Sequence, residues 1–162
     1  MPDIELHPFS QNDFKDLISW IHNPDELFLW SATTFNFPLN ESQLERHYQD
    51  ANESNTRLMY TATECQSQEK IGHIELIRID QKNRKAGIAY VLVNPEKRGY
   101  GYGKGMMKSV LNECFLRMKL SMVDLFVFAS NTVAVNLYRG MGFKIVELIR
   151  DRINRNGIFV PL

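Results

Sequence analysis

A run of alternating glycines is the segment whose residue types and spacing most clearly indicate chemistry. It reads Arg98-Gly99-Tyr100-Gly101-Tyr102-Gly103-Lys104 and separates an apolar run that ends at Val93 from an amphipathic segment that begins at Lys104. That segment has the apolar spacing of a helix, and the first turn of a helix has backbone N–H groups without intrahelical partners. Glycines leave such groups accessible, so we predict a phosphate or pyrophosphate site here.

Two common phosphate-binding motifs do not fit this run. A Walker loop places Ser or Thr after its Gly-Lys pair, whereas Gly105 follows Gly103-Lys104. A Rossmann fingerprint needs a third glycine, but Tyr102 and Lys104 occupy the places where it would fall. The fingerprint also lies close to the first strand of a βαβ unit, whereas three predicted strands precede this run. Both interpretations therefore fail.

Arg98, Gly101 and Gly103 do satisfy the pattern Arg/Gln-x-x-Gly-x-Gly/Ala. In this the run resembles the acetyl-CoA signature of the GNAT family of N-acetyltransferases. The preceding strand, Tyr90-Val91-Leu92-Val93-Asn94-Pro95, resembles the strand of that family that pairs with the pantetheine arm. The downstream run Asn131-x-x-Ala134-x-x-Leu137-Tyr138 resembles the second signature of the family.

A narrower resemblance concerns the ribosomal-protein N-terminal acetyltransferases within that family. It is carried by Asn94-Pro95-Glu96, by the tight Gly-Tyr-Gly turn and by the aromatic stretch Leu27–Leu39. The stretch is too irregular for one element and too aromatic for a solvated loop, and we expect it to line or cover something and to shape the acceptor cleft.

The resemblance implies acetyl-CoA as cosubstrate and assigns roles to particular residues. Backbone N–H groups near Leu92 and Val93 would hold the thioester carbonyl and the pantetheine arm. Tyr138 would be the general acid for the leaving sulfur, and Asn131 would either cap its helix or contact the coenzyme arm. The pyrophosphate would be bound by Arg98, Gly99, Tyr100, Gly101, Tyr102, Gly103 and Lys104.

A base for the acceptor amine is harder to identify. Glu75 is the best carboxylate, because it lies in the middle of a predicted strand on one face with His73 and Ile77, although a solvated or salt-bridged glutamate is the alternative. Deprotonating a lysine-like amine of pKa ~10.4 at neutral pH costs roughly 4.6 kcal/mol, but an α-amino group costs only about 1 kcal/mol. An α-amine acceptor would therefore need no protein base.

The resemblance thus implies an enzyme that transfers the acetyl group of acetyl-CoA to a primary amine, of a protein N-terminus or a small molecule, by direct attack. The alternative is a catalytically silent acyl-CoA-binding sensor or interaction module with the same fold. Retention of Tyr138 and of the glycine run favours the enzyme. The acceptor and the oligomeric state stay open, with a homodimer as one possibility.

Composition limits the other possibilities. The 162 residues form one expected domain, 1–162, and the 19 basic residues balance 19 acidic ones, so we expect no nucleic-acid or membrane partner. The four histidines and two cysteines show no metal-ligand spacing, and no metal is expected. The N-terminal residues lack a secretory pattern, which predicts a cytoplasmic protein.

Hydrophobic spacing predicts the elements that position these residues. We expect helices starting near Ser10, Asn40, Lys104 and Asn131, with Pro24 ending the first. A hairpin turn is expected at Asn156-Gly157, and strands at Ile4–Leu6, Leu58–Thr63, Ile71–Ile79, Gly87–Val93, Met122–Phe128, Phe143–Ile149 and Ile158–Leu162. The order predicts an α+β fold with a mixed, mostly antiparallel central sheet of about six to seven strands and helices on both faces.

Overall fold

The structure is a computed structural model that describes residues 2–147, 151–153 and 159–161. Its helices are α1 Phe14–Ser19, α2 Pro24–Ser31, α3 Glu41–Glu53, α4 Tyr102–Asn112 and α5 Thr132–Gly140. Its strands are β1 Ile4–Pro8, β2 Leu58–Glu64, β3 Lys70–Asp80, β4 Lys85–Val93, β5 Met122–Leu125, β6 Asp151–Ile153 and β7 Phe159–Pro161. None of the helices described in these ranges is long and apolar enough to cross a membrane.

A mixed sheet organises the fold, as the sequence predicts. Five strands lie in the order β1-β2-β3-β4-β5, and only the β4–β5 pair is parallel. The expected strand count was too high for this sheet, because β6 and β7 pair with each other as a separate two-stranded antiparallel sheet. The α+β class and the antiparallel meander β2-β3-β4 are confirmed.

Helices cover both faces of the sheet. Successive residues of a strand point to opposite faces, so Ile74 and Leu76 of β3 pack against α4 while His73 and Glu75 lie on the other face, which we call the α1–α3 face. The buried core of the α1–α3 face is Phe9, Phe14, Leu17, Trp20, Ile21, Leu27, Phe35, Leu39, Leu44, Ala51, Met59 and Leu92. The buried core of the α4 face is Ala62, Ile71, Ile74, Leu76, Ala86, Ile88, Met106, Met107, Val110, Cys114, Leu120 and Tyr138.

The first helices depart from the expectation in a way that local chemistry explains. Pro24 begins α2 instead of ending the preceding helix, which stops at Ser19. The side chain of Asn23 caps α2 by accepting a hydrogen bond of 2.9 Å from the backbone N–H of Glu26. Proline suits the first helical position, where no intrahelical N–H is needed. As a result, the stretch Leu27–Leu39 is helical as far as Ser31 and irregular only beyond it.

β4 contains an irregularity that opens one of its edges. His73 pairs with Leu92 and Glu75 pairs with Ala89, so β4 has one residue more than β3 between these pairs, and Tyr90 there has a positive φ of 53°. Such a bulge bends a strand and ends regular pairing. The parallel ladder with β5 accordingly ends at Ile88, opposite Leu125.

The C-terminal part of the sheet differs from the prediction. The strand expected over Met122–Phe128 ends at Leu125, because β4 turns away at its bulge. Of the strand expected over Phe143–Ile149, residues 143–147 are not in a strand, and the last two residues lie outside the described residues, as does the turn expected at Asn156-Gly157. The helix expected over 131–139 is α5, with Asn131 as its N-cap.

The N-terminal strand supports the helix that follows the glycine run. The hydroxyl of Ser109 in α4 donates a hydrogen bond of 2.8 Å to the carbonyl oxygen of Ile4 in β1. A Cβ atom at Gly105 would lie 2.9 Å from the carbonyl oxygen of Pro2 and 2.9 Å from Cγ1 of Ile4. The absence of a side chain at Gly105 thus lets α4 lie close to β1.

Gly72 of β3 lies close to both β4 and α4, and it provides a test of the fold. A Cβ atom there would lie against the carbonyl oxygen of Leu92 and 2.7 Å from Sδ of Met106. Gly72→Ala should therefore lower the free energy of unfolding by about 1–3 kcal/mol through overpacking, measured by urea denaturation. The control is Gly140→Ala, whose added Cβ meets nothing within 4 Å. Equal stability of the two variants would contradict this packing.

Candidate active site

The glycine turn, residues Arg98–Lys104, has the backbone geometry that the sequence predicts for an anion site. Gly99 and Gly101 have φ angles of 85° and 84°, a left-handed region that other residues disfavour. Gly101 is the N-cap of α4 and has no side chain to satisfy the first-turn amides. The N–H of Gly105 makes a helical bond of 3.1 Å to the Gly101 carbonyl, so the preceding amides of the first turn point out of the helix.

The glycine turn and the first turns of α4 carry exposed basic residues. These are Arg98, Lys104 and Lys108. The phenol of Tyr102 instead donates a hydrogen bond of 3.3 Å to Glu64, so this residue faces the turn with its backbone. Tyr100 is 71% exposed and is free to contact a ligand with its ring.

The second predicted signature lies beside the first. A Cβ atom built on Gly103 would stand 3.5 Å from Cδ2 of Leu137 and 3.6 Å from Cγ2 of Val93. The start of α4, the end of β4 and the middle of α5 therefore meet at one point. Asn131 is seen in its capping role, with its side-chain oxygen accepting a hydrogen bond of 3.3 Å from the N–H of Ala134. Its contact with a coenzyme stays a prediction.

Tyr138 occupies the buried side of α5. Its side chain is 9% exposed within the core of the α4 face, and its ring meets the edge of Phe143 at 6.0 Å between centroids. Burial raises the pKa of Tyr138 to about 12. The phenol consequently keeps its proton at neutral pH, which is the protonation state that a general acid requires.

Glu75 lies at the centre of a buried polar group on the α1–α3 face, which we call the Glu75 cluster. The carboxylate is 0% exposed. Its Oε1 is 2.9 Å from Nε2 of His47 and 2.8 Å from Nε2 of His73. Its Oε2 accepts a hydrogen bond of 3.2 Å from Arg57, which precedes β2. Burial alone would raise the pKa of Glu75, but the hydrogen bonds and charges of the two histidines lower it to about 2.

Aromatic rings enclose this cluster. Trp30 of α2 lies edge-on to His73 at 5.9 Å, and Phe35 lies 5.0 Å from the ring of His47. Tyr90, at the bulge of β4, is 4.9 Å from the same ring, and its hydroxyl is 2.9 Å from that of Thr34. The stretch Leu27–Leu39, expected to line or cover a cleft, thus lies over the polar residues of the sheet.

Sequence reasoning selected Glu75 but missed His47 and Arg57. These residues reach the carboxylate from α3 and from the loop before β2, at separations of 28 and 18 residues. One signal for His47 was present: it lies three residues after Leu44 and four before Ala51, on the face of α3 that both of them bury. The role of Glu75 as a base stays a prediction.

The glycine turn and the Glu75 cluster approach the end of β4 from different sides. Val93 packs with the α4 core near the turn, whereas Leu92 belongs to the α1–α3 core and pairs with His73. Beyond Ile88 one edge of β4 is released from β5. The arrangement suits an extended anionic ligand along that edge and a second reactant on the α1–α3 face.

Comparisons with known proteins agree with this arrangement. The sequence model described as the acetyltransferase (GNAT) family matches residues 13–143. The chain is similar to spermidine N(1)-acetyltransferase of Escherichia coli K12, with 24% identity over 155 residues that cover 95% of this chain and 80% of the relative. It is also similar to the L-amino acid N-acetyltransferase AaaT of Escherichia coli K12, with 24% identity over 98 residues, 59% of this chain and 60% of the relative.

A solved structure shares the fold. The crystal structure of spermidine N-acetyltransferase from Vibrio cholerae in complex with CoA and spermine superposes with a TM-score of 0.73 and 24% identity, covering 86% of this chain and 80% of the other. The narrower expectation of a ribosomal-protein N-terminal acetyltransferase is not supported, because the names of these relatives give small amines, spermidine and amino acids, as their substrates.

The contact of Gly103 with Val93 and Leu137 provides a test of the glycine turn. Gly103→Val would place a branched side chain between the start of α4, the end of β4 and α5, and should weaken coenzyme A binding about tenfold or more, measured by calorimetry. Gly140→Val is the matched control, since a side chain there is unobstructed. Unchanged affinity of a folded Gly103→Val protein would remove the turn from the coenzyme site.

Proposed function

The chain belongs to the GNAT acetyltransferase family, and on that premise we propose that it acetylates a small polyamine such as spermidine. It is an acetyl-CoA-dependent N-acetyltransferase that acts on amines. The observation that carries the proposal is the meeting of the glycine turn, the end of β4 and Leu137 of α5, the residue before Tyr138. We propose that the amine attacks the thioester carbonyl directly at this meeting point.

On the donor side, the chain offers backbone groups suited to coenzyme A. Amides of residues 99–104 would bind the pyrophosphate, with the exposed Arg98 and Lys104 adding charge. The β4 edge at Leu92 and Val93 would pair with the pantetheine arm, since a strand edge binds an extended chain through its main-chain groups. This pairing would fix the thioester near the end of β4, beside α5.

Tyr138 supports catalysis rather than binding alone. As the amine nitrogen forms its bond to the carbonyl carbon, the carbon–sulfur bond breaks and the sulfur needs a proton. The phenol of Tyr138 supplies it, and the proton lost by the new amide nitrogen restores the phenol. A silent acyl-CoA-binding module would have no use for a protonated phenol in this position.

The polyamine is favoured over other acceptors by two considerations. The relative that spans most of the chain is a spermidine acetyltransferase, whereas the amino acid acetyltransferase matches a shorter region. A polyamine nitrogen has a pKa near that of lysine, so its deprotonation at neutral pH costs roughly 4.6 kcal/mol. An enzyme for such a substrate benefits from the buried basic groups that lie on the α1–α3 face.

The choice of acceptor is tested by thiol release from acetyl-CoA. Spermidine and spermine should give kcat/KM values at least about tenfold above those of free amino acids and of ribosomal-protein N-terminal peptides. A higher kcat/KM for amino acids would contradict the polyamine proposal and indicate an α-amine acceptor. Coenzyme binding without thiol release for any amine would support the silent module instead.

The role of Tyr138 is tested by removing its hydroxyl. Tyr138→Phe should lower kcat about 100-fold and leave the Kd for coenzyme A unchanged, because a general acid acts in the transition state. Tyr60→Phe is a matched control: burial likewise raises the pKa of Tyr60 to about 12, but this residue lies in β2. Equal turnover of the two variants would exclude Tyr138 from proton transfer.

A further inference from the structure

The two histidines bound to Glu75 differ in their second ring nitrogen. A carboxylate of pKa about 2 is ionised and only accepts hydrogen bonds, so Nε2 of His73 must carry the hydrogen that is donated to it. In the neutral ring of His73, Nδ1 is then a lone pair. For His73 this Nδ1 is buried and has no hydrogen-bond partner among the described residues. For His47, Nη2 of Arg57 lies 3.5 Å from Nδ1.

This difference leaves one ring with a nitrogen open to a further partner and the other ring without. Nη2 of Arg57 lies 3.0 Å from Nε2 of His47 as well as 3.5 Å from its Nδ1, so the guanidinium lies against both nitrogens of that ring. Nε2 of His73 lies 2.8 Å from the carboxylate of Glu75. Glu75 therefore orients the His73 ring, as a carboxylate orients an imidazole base elsewhere, and Nδ1 of His73 stays available.

His73 lies on β3 directly opposite the part of β4 that is expected to hold the thioester. It pairs across the ladder with Leu92, whose backbone is expected to hold the thioester, and its side chain lies on the α1–α3 face. The rings of Phe9 and Trp30 lie 4.7 and 5.9 Å from its own ring, and Glu75 of its own strand binds it. His47 of α3 and Arg57 before β2 bind the same carboxylate. Among the described residues, Glu75 is the one hydrogen-bond partner of the His73 side chain.

Trp30 adds a second unpartnered group on a neighbouring ring. Its Nε1 is buried without a hydrogen-bond partner among the described residues, and its ring lies 5.9 Å from that of His73. A buried donor and a buried acceptor on neighbouring rings match a species that accepts one hydrogen bond and donates another. A neutral amine or a bridging water has this property.

We infer that His73 is the proton acceptor for the substrate amine and that Glu75 is its positioning residue, an inference that rests on the proposed acetyltransfer to a polyamine. One proton passes from the substrate ammonium to Nδ1 of His73 through a bridging water, because this nitrogen is buried. The freed lone pair forms the carbon–nitrogen bond, the carbon–sulfur bond breaks, and the sulfur takes its proton from Tyr138. The proton on His73 then leaves to solvent, which balances the release of one proton per turnover.

The test compares His73→Gln with His47→Gln, since both histidines are buried and bonded to the same carboxylate. Thiol release with spermidine is measured from about pH 6 to pH 9. Because His73→Gln lacks the proposed base, its kcat/KM should follow the fraction of substrate amine that is already neutral. This fraction rises tenfold per pH unit below the amine pKa. Its kcat/KM should be about 100-fold below that of the unmodified protein near pH 7 and recover as pH rises toward 9. The loss in His47→Gln should be smaller and independent of pH.

Other outcomes distinguish failure of the inference about His73 from failure of the proposed acetyltransferase function. Equal, pH-independent losses in both variants would overturn the inference and leave the histidines structural. If His73→Gln fails to fold, the unmodified protein alone decides, because its kcat/KM should level off below the amine pKa. A tenfold rise per pH unit up to pH 9 would exclude a protein base. Absence of thiol release from the unmodified protein with every amine would refute the proposed function itself.

Discussion

The pairing of β4 is the constraint on which the rest of the site depends. This strand pairs with β3 from Lys85 to Val93, but with β5 only as far as Ile88. The extra residue at the bulge, where Tyr90 has a positive φ, lies between the part of β4 that pairs on both edges and the part that pairs with β3 alone. It leaves one edge of β4 unpaired with β5 beyond Ile88 and places the Tyr90 ring against His47 on the α1–α3 face. One backbone irregularity therefore shapes both the edge beside the glycine turn and the surroundings of the Glu75 cluster.

The Glu75 cluster is difficult to explain by stability. Burying a carboxylate at 0% exposure is costly, and here three side chains are needed to bind it. Well-packed apolar residues of similar volume are often as stable or more stable than a buried ion pair. The cluster also leaves Nδ1 of His73 and Nε1 of Trp30 without partners among the described residues. Such a costly, incompletely bonded group agrees with a role in chemistry.

Local signals in the sequence were sufficient for the glycine turn and its neighbouring helices and insufficient for the Glu75 cluster. The glycine turn, α4 and α5 are each encoded by adjacent residues, so spacing and glycine content predicted these elements, whereas their mutual contact is seen in the structure. The Glu75 cluster is assembled from α3, the loop before β2 and β3, and no short pattern records these contacts. The predicted end of β5 was wrong because Val127 and Phe128 continue its apolar run. Where its pairing stops is decided by the bulge in a different strand, β4.

The contact of β1 with α4 has a consequence for how the glycine turn is held. Ser109 bonds to Ile4 across 105 residues, and Gly105 lies against Pro2 and Ile4. Because β1 to β4 precede α4 in the chain, the surface that seats this helix is already made when the helix is synthesised. The glycine turn at the start of α4 is thus anchored by a strand that is distant in sequence, and a change that detaches β1 would loosen the turn.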